Sequence, residues 1–216
     1  MASERLIIMT SNEMRNNPLF LRNGLESAGR WGIPVIKKQD IPLDNVGLIA
    51  FSDTRSKASS KDKSKGVHFC IDDYRFNSVY NIPYRSLNKL SQYAFLCTPD
   101  FSAYQEMEYW RQMESVAHSR WVGAFWQSKG LLVVPTITWS DAGSYDFCFG
   151  SVETGSTVLV GMPGCKQDKM SFLRGYYVML ERIKPSAVIC FGDPYEEMIS
   201  DNLIHVDYRS SRKAVR

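Results

Sequence analysis

The sequence predicts a single soluble α/β domain of mainly parallel strands, a small or incomplete (β/α) barrel-like fold, with a doubly wound open sheet as the alternative. Three observations predict it. Short, nearly continuous apolar runs rich in β-branched and aromatic residues recur from residue 46 onward, helix-like segments alternate with them, and most runs end on an acidic or polar residue. Runs of this kind are strands buried on both faces, and their alternation with helices is the grammar of parallel βαβ units. Parallel sheets bind ligands at the carboxyl ends of their strands, so the acid-tipped ends locate the candidate site.

Residues 1–45 are punctuated by Pro18, Gly24, Gly29, Gly32, Pro34 and Pro42 too often for long elements and read as an irregular segment wrapping the domain. The domain proper spans 46–208. Its strands are expected at 46–51 before Asp53, 67–71 before Asp72, 94–97 before Asp100, and 131–134 with Ile137 before Asp141. Three more follow at 157–160 before Gly161, 187–191 before Asp193 and, with a weaker pattern, 203–206 before Asp207. Helices are expected at 86–92, 104–119 and 170–183, the last stopping ahead of Pro185 as helices do before proline. The serine- and lysine-rich stretch 56–65 reads as a mobile loop, and 209–216 as a basic C-terminal tail.

A chain of 216 residues is long enough to bury a core without disulfides or structural metal, and its 44% hydrophobic and 23% charged residues are ordinary globular values. Transmembrane runs and a secretory signal are not seen. The five cysteines, odd in number and three of them in strand-like runs, read as buried free thiols of a reducing cytoplasm. A net charge of +3 and a pI near 8.5 permit a small anionic or nucleotide-like ligand, and nucleic acid as well, but fall short of the pI above ~9 of a dedicated nucleic-acid module.

The densest polar cluster is Asp72-Asp73-Tyr74-Arg75-Phe76, directly after a buried strand. Adjacent residues on an extended end point to opposite sides, so one of the two acids faces a site while Arg75 either orients an anion through its planar fork or pairs with the other acid. Asp100 and Ser102 end the next strand. Two carboxylates at one mouth can divide nucleophile and acid roles or hold a divalent cation, whereas the plainer role of Asp100 and Ser102 is capping the following helix. The segment Arg120-Trp121-Val122-Gly123-Ala124-Phe125-Trp126-Gln127 reads as joining that helix to the next strand, either as a stacking wall in which Trp126 packs a ring and Gln127 reads polar edges, or as core packing. Thr136, Trp139 and Asp141 end the following strand as further ligand contacts. Gly161-Met162-Pro163-Gly164-Cys165-Lys166 resembles a small anion-binding turn with one lysine, but it lacks the spacing of a phosphate loop or dinucleotide fingerprint, and its plainer reading is a tight turn. His68, His118 and His205 lack metal-ligand spacing and no Cys-x-x-Cys occurs, so zinc and iron–sulfur clusters are not indicated and no metal ligand is assigned.

The ordered motifs Asp72-Asp73-Tyr74-Arg75-Phe76, Pro99-Asp100-Phe101-Ser102, the Trp121 to Gln127 run, Pro135-Thr136-Ile137-Thr138-Trp139 and Phe147-Cys148-Phe149-Gly150 resemble the DUF4417 family of bacteria, phages and mobile elements. The resemblance implies a mobile-element context and residence in a bacterial host's cytoplasm, and it carries no activity with it. The chemistry rests on the residues. They point to an enzyme acting on a nucleotide or nucleic-acid component, at a glycosidic or phosphate-ester bond, with Asp72 or Asp73 and Asp100 as the acid pair and Arg75, Ser102, Trp126, Gln127, Thr136, Trp139 and Asp141 on the substrate. The competing expectations are a non-catalytic phage protein that sequesters a nucleotide, nucleic acid or host protein, and a hydrolase dependent on a divalent cation.

Overall fold

The structure is a computed structural model, and it describes residues 10–165 and 168–211. The chain opens with two short helices, α1 (Ser11–Arg15) and α2 (Pro18–Leu21). Thr10 and Glu13 form a reciprocal capping box on α1, while Asn17 caps α2 ahead of Pro18, whose missing N–H costs nothing at that position. A two-stranded antiparallel hairpin follows, β1 (Ser27–Ala28) and β2 (Ile33–Pro34). Beyond it the fully buried Ile36 donates its N–H to Ser151 and accepts from Glu153, which ties this segment to the body of the protein.

The body then alternates strands and helices: β3 (Leu48–Ala50), α3 (Ser60–Lys63), β4 (Gly66–His68), α4 (Ser78–Asn81), α5 (Leu87–Leu90), β5 (Phe95–Cys97), α6 (Tyr109–Ser128), β6 (Val133–Val134), α7 (Tyr145–Phe149), β7 (Val158–Gly161), α8 (Lys169–Ile183), β8 (Val188–Phe191) and β9 (Leu203–Val206). β3-β4-β5-β6 form one parallel sheet and β7-β8-β9 another. A single parallel bridge between Thr136 and Leu159 joins them, with Ile137 N–H on Leu159 O at 2.8 Å and Leu159 N–H on Pro135 O at 2.9 Å. Among the described residues, seven parallel strands thus run in chain order.

The parallel α/β architecture that the alternation predicts is present, and it is open. Among the described residues no hydrogen-bonded ladder joins β9 to β3. The strands nevertheless curl toward a common interior. Leu48 of β3, Cys97 of β5, Val134 of β6, Leu159 of β7, Ile189 of β8 and Val206 of β9 share one buried cluster, and the His68 ring of β4 lies 4.3 Å from that of Phe191 on β8. Helices α6 and α8 bury their apolar residues on the outside of these strands in two further clusters. Asp168 caps α8 by accepting from Ser171 N–H, and Lys184 ends it in the left-handed region at φ 48° ahead of Pro185.

The helix expected at 104–119 is instead α6 at Tyr109–Ser128, and the Arg120 to Gln127 run is its second half rather than a connection. The physical reason is burial all round. Every residue from Ser119 to Trp126 is buried, so the segment lacks the one-sided apolar stripe that marks a surface helix. The stretch read as a loop at 56–65 contains α3, capped by Ser59. Of the basic tail, only Arg209, Ser210 and Ser211 fall within the described residues.

Candidate functional site

A cleft of ≈ 860 Å³ opens at the carboxyl ends of the strands. Residues 70–74 after β4, 100–107 after β5, 137–140 after β6, and the turn after β7 line it, together with Phe172 of α8 and Tyr208 beyond β9. Five carboxylates, Asp72, Asp73, Asp100, Glu106 and Asp168, contribute to its walls, and among the described lining residues there is no lysine or arginine.

Asp100 lies at the floor. Its Oδ1 accepts a 2.6 Å hydrogen bond from Thr138 Oγ1, and Cys70 also hydrogen-bonds its side chain. Burial pushes the Asp100 carboxyl above the ordinary aspartate value, with nearby Asp73 adding to the rise, while Thr138, Cys70 and the Arg120 guanidinium pull the other way. A Cβ on Gly161 would stand 3.4 Å from Cys70 Sγ and 3.9 Å from Asp100 Oδ2, so the last residue of β7 packs directly over this pair. Replacing Thr138 with valine removes the donor without changing the side chain's shape, and the Asp100 carboxyl is then expected to titrate higher still. Carboxyl carbon chemical shifts followed against pH check this.

Asp73 faces the same mouth in a different setting. Its two oxygens accept from Ser102, from N–H at 3.2 Å and from Oγ at 3.0 Å. Asp72, although it borders the cleft, pairs outward with Arg75 at 3.3 Å, and the Arg75 Nε also donates to the Tyr74 hydroxyl at 3.2 Å. Both members of the Asp72 pair are about half exposed or more, with side-chain exposures of 66% and 47%. Arg75 lies outside the cleft lining and is committed to its neighbours.

Burial raises the Cys70 thiol well above its ordinary value and lifts Cys165 to about 11. Burial thus disfavours the thiolate form of both. Among the described residues no group of three or more histidine, cysteine, aspartate or glutamate side chains is placed to hold a metal ion.

The aromatic wall is Trp139, packed on Phe172 at 5.0 Å and on Phe149 at 5.9 Å. Its indole lies against Gly175 of α8, where an added Cβ would come within 2.1 Å of Nε1. Gly175→Ala is accordingly expected to displace the indole and cost ~1–3 kcal/mol, the usual penalty of overpacking. A shifted tryptophan emission together with a lowered denaturation midpoint checks it.

The remaining expected contacts lie elsewhere. Trp126 is fully buried, 5.5 Å from Phe69, and cannot reach a ligand. Gln127 clasps the N-terminal segment through Lys37 N–H, Lys37 O and Gln39, beside a shallower hollow of ≈ 360 Å³. Thr136 is buried in a braid with Thr98 and Ser119: its Oγ1 donates to Thr98 O at 2.7 Å and its N–H to Thr98 Oγ1 at 2.9 Å. Asp141 accepts from the Tyr109 hydroxyl at 3.0 Å and from Gly143 N–H at 3.0 Å. These are packing and capping roles, fixed by burial and by local donors.

Three participants escaped sequence reasoning. Thr138 stands two residues beyond Thr136, the same alternation that separates Asp100 from Thr98, and that period of two was the available signal. Cys70 reads only as a strand residue. Arg120 is the third: a fully buried guanidinium donating from Nη1 to Thr136 O at 2.9 Å and from Nη2 to Cys148 O at 3.0 Å, with its pKa lowered to about 10 by burial. A lone charge set between Ser119 and Trp121 was its mark.

The family described as a domain of unknown function, DUF4417, matches residues 25–209. The chain is also similar to the "Gene 1 protein" of Mycobacterium phage L5, 33% identical over 178 residues that cover 81% of this chain and 76% of that protein. The "Gene 1 protein" of Mycobacterium phage D29 is 32% identical over 177 residues, covering 81% of this chain and 65% of that protein. No solved structure matches the chain significantly. Among the described residues no helix is long and apolar enough to cross a membrane.

Proposed function

The chain belongs to the DUF4417 family, and from the geometry of its cleft we propose that it is a hydrolase of the N-glycosidic bond in an unphosphorylated, nucleoside-like substrate. The observation that carries this reading is the pair Asp73 and Asp100, two carboxylates at one mouth in unlike settings, one accepting two Ser102 donors and one desolvated with its pKa raised. Environments that separate two acids in this way assign their roles. Asp100 donates its proton to the leaving base as the bond between sugar carbon and base nitrogen breaks. Asp73 stabilises the positive charge that develops on the sugar ring and accepts a proton from the water whose oxygen joins the sugar carbon. The two carboxyls then exchange protons with solvent and the cycle closes.

Trp139 supplies the plane on which a base stacks, supported from behind by Phe149 and Phe172. Acidic walls favour a glycosidic bond over a phosphate ester, because a phosphate would meet Asp73, Glu106 and Asp168 and, among the described lining residues, no lysine or arginine. The phage relatives support a mobile-element setting for this activity.

Incubation with a panel of nucleosides and their 5′-monophosphates, followed by denaturation and chromatography, tests the reading. Free base is the expected product, released faster from nucleosides than from monophosphates. Recovery of only intact ligand would favour sequestration without turnover, and preferential turnover of the monophosphates would overturn the substrate assignment.

A further inference from the structure

The lysine-rich stretch after β3 is not part of the cleft, and its placement gives it a separate role. Gln92, just beyond α5, donates to Ser56 O at 2.9 Å and accepts from Ala58 N–H at 3.3 Å, and the Tyr93 hydroxyl accepts from Arg55 N–H at 3.1 Å. The stretch is thus folded onto α5 rather than trailing free, and α3 gives its second half a helical turn. Between Asp53 and Lys65 it carries Arg55, Lys57, Lys61, Lys63 and Lys65, and Lys89 of α5 lies alongside with its ammonium 4.1 Å over the Phe51 ring. The facing acids are Asp53 and Asp62, of which Asp62 is engaged by Ser59 and Lys65. Arg55, Lys57, Lys61 and Lys63 are exposed and form no ion pair among the described residues.

Lys65 immediately precedes β4, and Gln92 and Tyr93 closely precede β5, so the anchored patch lies toward the amino ends of these strands, the end opposite the cleft. Four exposed cations with no ion pair among the described residues, beside the exposed hydroxyls of Ser56 and Ser60, match a run of phosphates: the cations supply charge and these two serines supply hydrogen-bond donors, the Ser59 and Ser64 hydroxyls being spent on Asp62 and Lys61 O. We infer that this face binds the phosphate backbone of nucleic acid without reading its sequence, independently of the reaction at the strand ends. The mild overall basicity fits a local patch rather than a basic domain.

The test uses the full chain, a short fluorescent DNA duplex and a single-stranded RNA, with anisotropy measured across a salt series. Binding to either probe that weakens steeply with salt is expected. The triple substitution Lys57→Gln, Lys61→Gln, Lys63→Gln should weaken it at least tenfold and lower the salt slope by about 3, near one unit for each lysine removed from a phosphate. Lys184→Gln, far along the chain at the end of α8, should leave both unchanged. The substituted residues are exposed, so folding is retained, and unaltered nucleoside turnover in the triple variant keeps this inference separate from the cleft's proposed activity. Absence of binding to both probes, an unchanged salt slope in the triple variant, or capture by phosphatidylserine vesicles with no binding to either nucleic acid would overturn it.

Discussion

Asp100→Asn is expected to lower nucleoside turnover by about 10²–10⁴-fold, the usual contribution of a positioned general acid. Asparagine keeps the shape and can still meet Thr138, but it has no proton to give. The same substitution carries a second signature that needs no substrate. Burial is the main cause holding the Asp100 carboxyl above the ordinary aspartate value, assisted by Asp73 and opposed by Thr138, Cys70 and Arg120. A carboxyl with a raised folded pKa contributes stability that is fully present below its unfolded pKa and lost as pH rises through the folded value. The asparagine variant has no such loss. Its stability relative to the wild type should therefore climb as pH is raised through that range, read as urea midpoints in a series of buffers from acid to neutral. Unchanged turnover, or a stability difference that falls with pH, would remove Asp100 from the mechanism.

Arg120→Ala is expected to destabilise the fold by about 3–5 kcal/mol. Two buried carbonyls, Thr136 O and Cys148 O, lose their donors, and the volume of a fully buried side chain is vacated. Losses of this size approach the whole stability of many domains, ~5–15 kcal/mol. Arg120→Lys keeps the charge while forfeiting the planar fork that reaches both carbonyls, so an intermediate loss is expected there. Because Thr136 O lies two residues before Thr138, slackening this fork also loosens the strand end that holds Asp100. Urea denaturation of both variants checks the order; a loss below about 1 kcal/mol for the alanine variant would show that the carbonyls find other donors.

The strands and the location of the cleft were legible because both depend on local pattern. Buried parallel strands spell themselves as continuous apolar runs, and the acids that tip them, Asp73 and Asp100, border the cleft. Roles that depend on which way a side chain turns were not legible. Asp72 and Asp73 are neighbours in sequence and were expected on an extended end, yet the chain turns into a 3-10 helix at Asp73–Arg75, and that turn sends one to Arg75 and the other to Ser102. Trp126 and Trp139 are both tryptophans in aromatic surroundings, but one is buried in α6 against Phe69 while the other borders the cleft on Gly175. Only tertiary packing distinguishes them. The same burial hid the second half of α6, since a helix enclosed on all sides shows no period.

The titration of Asp100 in the unsubstituted protein bears on the proposed chemistry without an intermediary. Selective labelling of aspartate carboxyl carbons, with Asp100→Asn to assign the signal, yields its midpoint without any substrate. A proton donor at this position requires a midpoint above the ordinary aspartate value of 3.8, moving further up in Thr138→Val. A midpoint at or below that value, unmoved by Thr138→Val, would contradict the assignment of Asp100 as the proton donor of the cleft.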